Sequence, residues 1–483
     1  MSKKSSNKLT SALARIVGAN NVLDQPEARL IYPNDQWWFA IASTAAKRQI
    51  SKPDAAVRPS TPLQVAKIVQ LANKLRVPIT PWGGGSGVQG AANATRGGIV
   101  LDLRGMNRVR ALDKLSLTCT VEAGKICRDF EAELNQEGLS FTHYPASTEW
   151  ATIGGCVAAR GSGVLSTKYG KIEEHVLSVE WITPTGDIVQ TPAVPRHAAG
   201  PELTQLLIGA EGTLGIVTAA VVKLHNVPKS RVFGAFTFKN LKDGIEAGRR
   251  IMTTGLKPPA MRLYDTDATV HSLARATEMS LKDSTLVLMF DGDYPDLVEL
   301  EASKAFEICR ACHGQVLPAA PNGKNIGQIW WEKRYVYYYP PFAPQLPSIW
   351  GTVDVVADFA HIEAVYNATT KAIRGAVPAK WNLGLITHFS HWYEWGSMIY
   401  ARAKIPEGPK DLGEAKKLHD AIFREGTLAA LKAGAVLNDH HGVGLRLAPY
   451  MKNQYGAGMK ALGNIKRGLD PKNILCPGKL GLK

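Results

Sequence analysis

A dense run of glycines stands directly behind a short apolar stretch: Val77-Pro-Ile-Thr-Pro81 leads into Pro81-Trp-Gly-Gly-Gly-Ser-Gly-Val-Gln-Gly90. Glycine has no Cβ, so successive backbone N–H groups in such a run can approach an anion unobstructed. A loop of this kind at the end of a strand either cradles a pyrophosphate or is an ordinary glycine-rich turn. The Gly-Lys-Ser/Thr ending of a P-loop is absent. Gly85-Ser-Gly-Val-Gln-Gly90 has the spacing of a dinucleotide fingerprint. However, the next strand begins at Gly98, which leaves no room for the helix of a Rossmann unit.

The surrounding pattern alternates. Ala55 to Pro59, Val77 to Pro81, Gly98 to Leu103 and Leu117 to Ala123 read as strands, and Pro62 to Lys74 reads as a helix. This β-α-β-loop-β order builds a mixed sheet with helices against it. Before it lie a short amphipathic stretch, Leu9 to Val17, and an aromatic loop at Gln36-Trp-Trp-Phe39. Ile153 to Gly163 is small and glycine-rich, and Val176 to Thr183 with Asp187 to Gln190 reads as a hairpin around Pro184-Thr-Gly186. Near Val227-Pro228 the glycine loops stop. Long helical patterns (Lys242 to Thr254, Leu297 to Cys312, His361 to Arg374, Lys410 to Ala433) then alternate with strands such as Thr285 to Phe290. The expected division is a first domain at 1–227 with an N-terminal extension 1–50, a second at 228–465, and a C-terminal return at 466–483, signalled by Leu469-Asp-Pro-Lys-Asn-Ile474.

Composition narrows the function classes. A chain of 483 residues with 45% hydrophobic and 20% charged residues is globular and large enough for two domains. Its 57 Lys and Arg against 42 Asp and Glu give +15, which favours anionic partners. The basic residues are dispersed and no aromatic-basic stacking motif recurs, so nucleic acid is not the expected partner. Six Cys are too sparse for a disulfide framework. The N-terminus, Met1 to Lys8, is basic and lacks an apolar stretch behind it, and no run approaches the roughly 20 apolar residues of a bilayer span. A cytoplasmic protein is expected.

Two further glycine-rich segments join the first. Pro145-Ala-Ser-Thr-Glu-Trp-Ala-Thr-Ile-Gly-Gly155 runs into Tyr169-Gly-Lys-Ile-Glu-Glu174, and Ile208-Gly-Ala-Glu-Gly-Thr-Leu-Gly-Ile-Val217 follows. Three such segments, each beside a strand, suggest one long ligand threaded through the domain. In order and spacing they resemble the FAD-binding domain of the vanillyl-alcohol oxidase/p-cresol methylhydroxylase superfamily. Within it the likeness is to the alkyldihydroxyacetonephosphate synthase branch and its bacterial FAD-linked oxidase and D-2-hydroxy-acid dehydrogenase relatives. The resemblance covers about residue 50 to the C-terminus. It implies an α+β fold: a two-subdomain FAD-binding domain of the p-cresol methylhydroxylase type plus an α+β cap with an antiparallel sheet.

It also implies FAD in an extended pose. Gly83, Gly84, Gly85, Ser86 and Gly87 would hold the pyrophosphate, Thr152, Gly154 and Gly155 would lie along the flavin, and Ile216 and Val217 would meet the adenosine half or the ring. The same implied cofactor set takes in Pro81, Gly90, Pro145, Ser147, Tyr169, Glu211, Gly212 and Gly215. The first loop lacks the His that some relatives bond to the flavin, so the expectation is non-covalent FAD.

In the second domain, Ala260-Met-Arg-Leu-Tyr264 resembles the segment supplying an active-site Arg, here Arg262, and Gly396-Ser-Met-Ile-Tyr400 the segment supplying a catalytic Tyr. Asn438-Asp-His-His-Gly-Val-Gly444 resembles a three-His run in which Asp439 replaces the first His, leaving His440 and His441. A Tyr hydroxyl titrates near 10, and cationic neighbours stabilise its phenolate. Such a group takes a proton while flavin N5 accepts a hydride. The alternative is that Tyr400 is a half-buried strand residue and the His pair caps a turn.

The synthase branch carries a phosphate-binding Arg that should fall near Phe342 to Gln345, yet no Arg occurs between Arg334 and Arg374. The segment is aromatic instead, Arg334-Tyr-Val-Tyr-Tyr-Tyr-Pro-Pro-Phe342, either as core or as pocket lining. Arg334, Tyr338, His388 and His391 are therefore taken as substrate residues. The expected reaction is oxidation of a CH–OH substrate, a hydroxy acid or an aromatic or benzylic alcohol, with ether-lipid synthesis as the alternative. Metal-using dehydrogenase relatives have a His pair seven apart and a Glu before His-Gly. Here Trp395 and His440 occupy two of those places, so no metal is expected, although His388, His391 and the Asp439 to His441 run are metal-capable. Cys309-Arg-Ala-Cys-His313 has a haem-attachment spacing but needs an exported protein and reads as helix-end cysteines. The expected partners are a small-molecule substrate, oxygen or a separate electron acceptor, and a second copy in a homodimer. The excess charge leaves a peripheral membrane contact open.

Overall fold

The computed structural model describes residues 3–23, 32, 34–335 and 345–482. The chain divides into two compact units. Residues 1–161, 172–225 and 440–483 form the first, and residues 162–171 and 226–439 the second.

The first unit is built on two larger sheets. Strands β1 (Ala55–Val57), β2 (Ile79–Trp82) and β3 (Ile99–Asp102) form a parallel sheet in the order β1-β3-β2. The helix Pro62–Leu75 links β1 to β2. Its start is fixed by Thr61, whose hydroxyl accepts a hydrogen bond from the Gln64 N–H at 3.3 Å, and by Pro62 in the first turn. Val65, Ile68, Val69 and Ala72 bury its apolar stripe against the strands. Leu9, Leu13 and Val17 of the helix Lys3–Val17 join the same core. No helix occurs between β2 and β3, so the glycine run stays a loop and the parallel sheet is not a Rossmann unit.

The second sheet of this unit is antiparallel. Strands β4 (Val109–Asp113), β5 (Thr118–Glu122), β6 (Val176–Ile182), β7 (Ile188–Gln190) and β8 (Ile216–Lys223) lie in the order β4-β5-β8-β6-β7. The β6–β7 hairpin turns at Gly186, whose φ of 92° suits glycine. Val121, Phe130, Phe141, Ile153, Val157 and Val179 are among the residues that fill the core beneath it. Where an aromatic loop is expected at Gln36 to Phe39, Trp38 begins the helix Trp38–Ala45. The small, glycine-rich stretch from Ile153 opens with the helix Ile153–Ala159, begun by the Thr152 hydroxyl accepting from Gly155 N–H at 3.2 Å.

The C-terminal return is longer than the sequence pattern suggests, beginning at His440 and not at residue 466. The buried Glu211 carboxylate accepts hydrogen bonds from the Val443 and Gly444 N–H groups, and Leu445 N–H donates to Gln89 O at 2.9 Å. At the far end Ile79 N–H donates to Ile474 O and Cys476 N–H to Ile79 O, which adds the tail to the edge of β2. Lys466, 1% exposed, holds this join, donating to Thr213 O at 2.9 Å, to Leu475 O at 2.8 Å and to the Asp470 carboxylate.

The second unit is built on one antiparallel sheet of β9 (Ser230–Phe238), β10 (Ala260–Tyr264), β11 (Ser284–Gly292), β12 (Gln315–Val316), β13 (Ile349–Asp358), β14 (Gly384–Tyr393) and β15 (Gly396–Ile405). The order is β12-β9-β11-β10-β14-β15-β13. Alternation along the strands decides which face is covered. Leu385, Thr387 and Phe389 of β14 and Ile399, Ala401 and Ala403 of β15 are buried, while Ile386, His388, Tyr400 and Arg402 between them are half-exposed. Helices Ile362–Gly375 and Leu412–Lys432 pack on this sheet. Close approach requires glycine twice: a Cβ at Gly351 would meet the Phe423 ring at 2.5 Å, and one at Gly426 would meet Ile373 at 2.7 Å. The helix Pro295–Ala311 ends beside Cys309 and Cys312, two buried free thiols. Among the described residues no helix is long and apolar enough to cross a membrane.

Candidate functional site

In the first unit the glycine run departs from Trp82 at the end of β2. A Cβ at Gly83 would meet Thr152 Oγ1 at 2.4 Å, and one at Gly84 would stand 1.6 Å from Trp150 O. Gly84 lets the first and second glycine-rich segments touch backbone to backbone, and Gly83 makes room for the Thr152 side chain. Gly85 has φ +65° and lies against the Trp82 ring, and Gly90 has φ +80° and lies against Trp37. Gly87 differs. It is exposed, and a Cβ there would meet only Asp35 Oδ2, at 3.7 Å. The third segment closes in beside them, since a Cβ at Gly212 would lie 3.0 Å from Pro81 Cγ.

Around this loop, six buried polar atoms have no hydrogen-bond partner: Asp35 Oδ2, Gln36 Oε1, Trp37 Nε1, Trp82 Nε1, Gln89 Nε2 and Asn93 Oδ1. Each such group costs about 1–3 kcal/mol when left unsatisfied. Together that rivals the whole stability of an ordinary domain, about 5–15 kcal/mol. A ligand with its own donors and acceptors resolves the conflict, and a dinucleotide pyrophosphate with its ribose hydroxyls has that character. The residues present therefore fit FAD. Sequence reasoning missed Asp35, Gln89 and Asn93; the only signal was that Gln36-Trp-Trp and Gln89 border glycine-rich or aromatic turns. Burial pushes the Asp35 carboxyl up to about 6, against the stabilising hydrogen bonds from Trp37 N–H and Asn93 Nδ2.

The other implied cofactor residues are dispersed among several tasks. Pro81 pairs with Leu101 in the parallel sheet. The carbonyls of Pro145 and Ser147 accept from Thr148 and from Trp150 and Ala151, forming the turn that leads to Thr152. A Cβ at Gly154 would clash with Ala123, so Gly154 serves helix packing. Ser86 is half-buried and Gly155 is exposed. Gly215 lies against Ile182 O and the Trp181 ring, Ile216 is buried and Val217 pairs with Trp181. Glu211 spends its carboxylate on the Val443 and Gly444 N–H groups. Tyr169 belongs to the second unit, where its hydroxyl donates to Asp291 Oδ1 at 2.8 Å. His440 and His441 lie in the first unit with ring centroids 4.1 Å apart.

The second unit gathers a different set. Register places Asp354 of β13 opposite Tyr400 of β15, Tyr400 opposite His388 of β14, and His388 opposite Tyr264 of β10. Directly opposite residues have Cβ atoms about 4.5–5.5 Å apart on one face. The four form a single cross-strand row. The His388 and Tyr400 rings stack 4.8 Å apart at 20°, and Tyr264 lies 5.8 Å from His388. Trp330 Nε1 donates to the Tyr264 hydroxyl at 2.8 Å. Arg262, two residues before Tyr264 and so on the same face, holds its guanidinium over the Tyr264 and Trp330 rings at 6.0 and 5.5 Å.

Of the remaining substrate residues, His391 and Arg334 lie among the described residues. His391 Nδ1 meets Asp439 Oδ2 at 2.7 Å, and Tyr393 OH and Ser162 Oγ donate to the same carboxylate at 2.5 and 3.2 Å. Asp439, where the resemblance expects a His, thus anchors residues 162–171. Arg334 stacks on Trp331 at 3.5 Å, at the end of the helix Ile326–Lys333. Tyr338 and most of the aromatic stretch around it lie outside the described residues.

Comparison with known proteins bears on the family and the fold. A family model described as an FAD binding domain matches residues 53–192, and one described as the C-terminal domain of FAD linked oxidases matches residues 227–480. The chain is 30% identical over 453 residues to alkyldihydroxyacetonephosphate synthase of Trypanosoma brucei brucei, covering 89% of this chain and 73% of that protein. It is 27% identical over 475 residues to glycolate oxidase subunit GlcD of Bacillus subtilis (strain 168), covering 98% and 96%. The crystal structure of p-cresol methylhydroxylase with substrate bound shares the fold, with a TM-score of 0.78 at 18% identity over 100% of this chain and 98% of that one. The chain is an FAD-binding oxidoreductase of α+β fold with a p-cresol methylhydroxylase-type flavin domain, and it belongs to the FAD-linked oxidase family.

Proposed function

We propose that the protein oxidises a small 2-hydroxy acid at its CH–OH carbon. The observation that carries this reading is the Asp354-Tyr400-His388-Tyr264 row with Arg262 on the same face. When bound, FAD supplies a hydride acceptor at N5. Tyr400 takes the proton of the substrate hydroxyl, and the stacked His388 ring stabilises the phenolate that this requires. Arg262 receives the carboxylate through its planar fork of donors, which suits a bidentate partner better than a point charge does. His440 and His441 are also proposed as catalytic residues, holding developing negative charge. FAD is held non-covalently by the glycine run and the polar side chains around it. Electrons leave to oxygen or to a separate acceptor.

Anaerobic mixing with a panel of D-2-hydroxy acids and aromatic alcohols tests the reading through bleaching of the flavin band. Carboxylate-bearing alcohols should bleach it, and bleaching by neutral aromatic alcohols alone would displace the role given to Arg262. The likeness to alkyldihydroxyacetonephosphate synthase supports a second reading, ether-lipid synthesis. Formation of an ether from an acyl-dihydroxyacetonephosphate and a fatty alcohol would establish it in place of the first.

A further inference from the structure

Two cysteines of the first unit stand in contact where two helices begin side by side. Cys127 opens the helix Cys127–Gln136 and Cys156 lies in the helix Ile153–Ala159. Their starts are clamped together. Ile126 and Thr152 form an antiparallel bridge, Cys127 N–H donates to Ala151 O at 2.9 Å, and Ile153 N–H donates to Lys125 O at 2.9 Å. That clamp fixes where the two side chains emerge, and it brings Cys127 Sγ to 3.7 Å from Cys156 Sγ although 29 positions separate them in the chain. Both thiols are free and buried.

The setting separates the two sulfurs chemically. The Cys127 thiol, hydrogen-bonded to its neighbour, holds the Cys156 thiol below the ordinary range, and the adjacent His143 adds to this, while Cys127 itself is pushed up. His143 is 3% exposed, and neither of its ring nitrogens makes a hydrogen bond of ordinary length. A pair of this kind has a nucleophile, a resolving thiol and a base within one cluster. Cys309 and Cys312, by contrast, are both raised by burial.

We propose that Cys127 and Cys156 are a peroxide-responsive modification site that closes to a disulfide. The Cys156 thiolate attacks one oxygen of hydrogen peroxide; the O–O bond breaks, leaving a sulfenic acid and, after protonation, water. Cys127 sulfur then attacks the sulfenic sulfur, the S–O bond breaks, and a second water leaves. Two thiols are oxidised by two electrons and one peroxide is reduced to two waters. A disulfide has its sulfurs about 2.05 Å apart, so the pair closes by about 1.7 Å through side-chain rotation. The link would tie the helix Cys127–Gln136 to the segment carrying Thr152.

The test uses the FAD-loaded protein treated with excess hydrogen peroxide, then denatured, alkylated and mapped by mass spectrometry. The expected result is a loss of two of the six titratable thiols, a cross-linked peptide containing Cys127 and Cys156, and full reversal by dithiothreitol. In Cys127→Ser, Cys156 should stop at the sulfenic acid and be trapped by dimedone. Six unchanged thiols, a cross-link joining Cys309 to Cys312 instead, or irreversible oxidation of Cys156 without a cross-link in the unsubstituted protein would overturn the proposal.

Discussion

His388 and Tyr400 face each other across neighbouring strands with their rings stacked 4.8 Å apart, at 20° between planes. The stack puts a titratable imidazole against the hydroxyl-bearing ring proposed to move the proton. His388→Phe keeps a flat ring on the same face and removes the titration. Turnover should fall by about 10²-fold, the scale of one lost proton-transfer partner, and the pH-rate profile should lose one limb while FAD content stays unchanged. An unaltered profile would leave His388 as packing for Tyr400.

Arg262 is held over two aromatic rings on the face of the sheet that carries His388 and Tyr400. Hydrogen bonds to a charged group contribute about 1.5–3 kcal/mol. Arg262→Ala should therefore lower kcat/KM for carboxylate substrates by about 10–100-fold, chiefly through KM. Steady-state kinetics on a hydroxy acid and its neutral amide separates the two possibilities, because the amide should lose far less.

The glycines of the first loop divide into two kinds, and two alanine substitutions distinguish them. At Gly84 a Cβ would lie 1.6 Å from Trp150 O, so Gly84→Ala should destabilise the flavin domain by about 3 kcal/mol or more. At Gly87 the protein leaves room. Gly87→Ala should leave the stability of the apoprotein within about 0.5 kcal/mol and weaken FAD about tenfold, equivalent to about 1.4 kcal/mol. Urea unfolding and quenching of flavin fluorescence measure the two effects, and undiminished FAD affinity in Gly87→Ala would remove the loop from the cofactor site.

Glu211 gives the first unit a pH dependence. Burial raises its carboxyl from 4.5 to about 7, against the opposing hydrogen bonds from Val443 and Gly444. A raised acid favours the fold while protonated. Its contribution is complete below about 4.5 and is lost as the pH climbs to about 7, by about 3 kcal/mol in all. Asp35, raised to about 6, acts in the same direction. Urea unfolding of the apoprotein at about pH 5 and about pH 8 should show Glu211→Gln losing about 2 kcal/mol less than the unsubstituted protein over that interval. Parallel losses in both would assign the pH dependence elsewhere.

Lys466 is buried with three acceptors around its ammonium group. Lys466→Met leaves Asp470 charged and buried, although Ile474 and Leu475 N–H still donate to it. The loss of stability should be about 3 kcal/mol, the lower end for breaking a buried pair. Limited proteolysis would then cut first in the C-terminal return.

How much of this was legible in the sequence follows from the range of each interaction. The helix Pro62–Leu75 and the β6–β7 hairpin carry local signals, a Thr-Pro start and a Pro-Thr-Gly turn, and both are where the pattern puts them. The glycine run announced a ligand, and the absence of a helix behind it excluded a Rossmann unit. The reason for Gly84 was not local, since Trp150 lies far along the chain. The same holds for the row. Tyr400 and Arg262 came through resemblance, but Asp354 and Tyr264 join them only through strand register, which no single stretch of sequence records. The early return at His440 depends on one buried carboxylate, Glu211, meeting backbone N–H groups more than two hundred residues later, a contact without a periodic signature.

Tyr400 is the residue proposed to move the proton when the substrate is oxidised. The most direct test of this role is rapid anaerobic mixing of the FAD-loaded protein with a D-2-hydroxy acid that bleaches the flavin, comparing the unsubstituted protein with Tyr400→Phe. FAD content and its absorbance spectrum should be equal in the two, and the rate of bleaching should fall by about 10²–10⁴-fold in the variant. Bleaching at an undiminished rate in Tyr400→Phe would contradict the account and leave Tyr400 a structural member of its row.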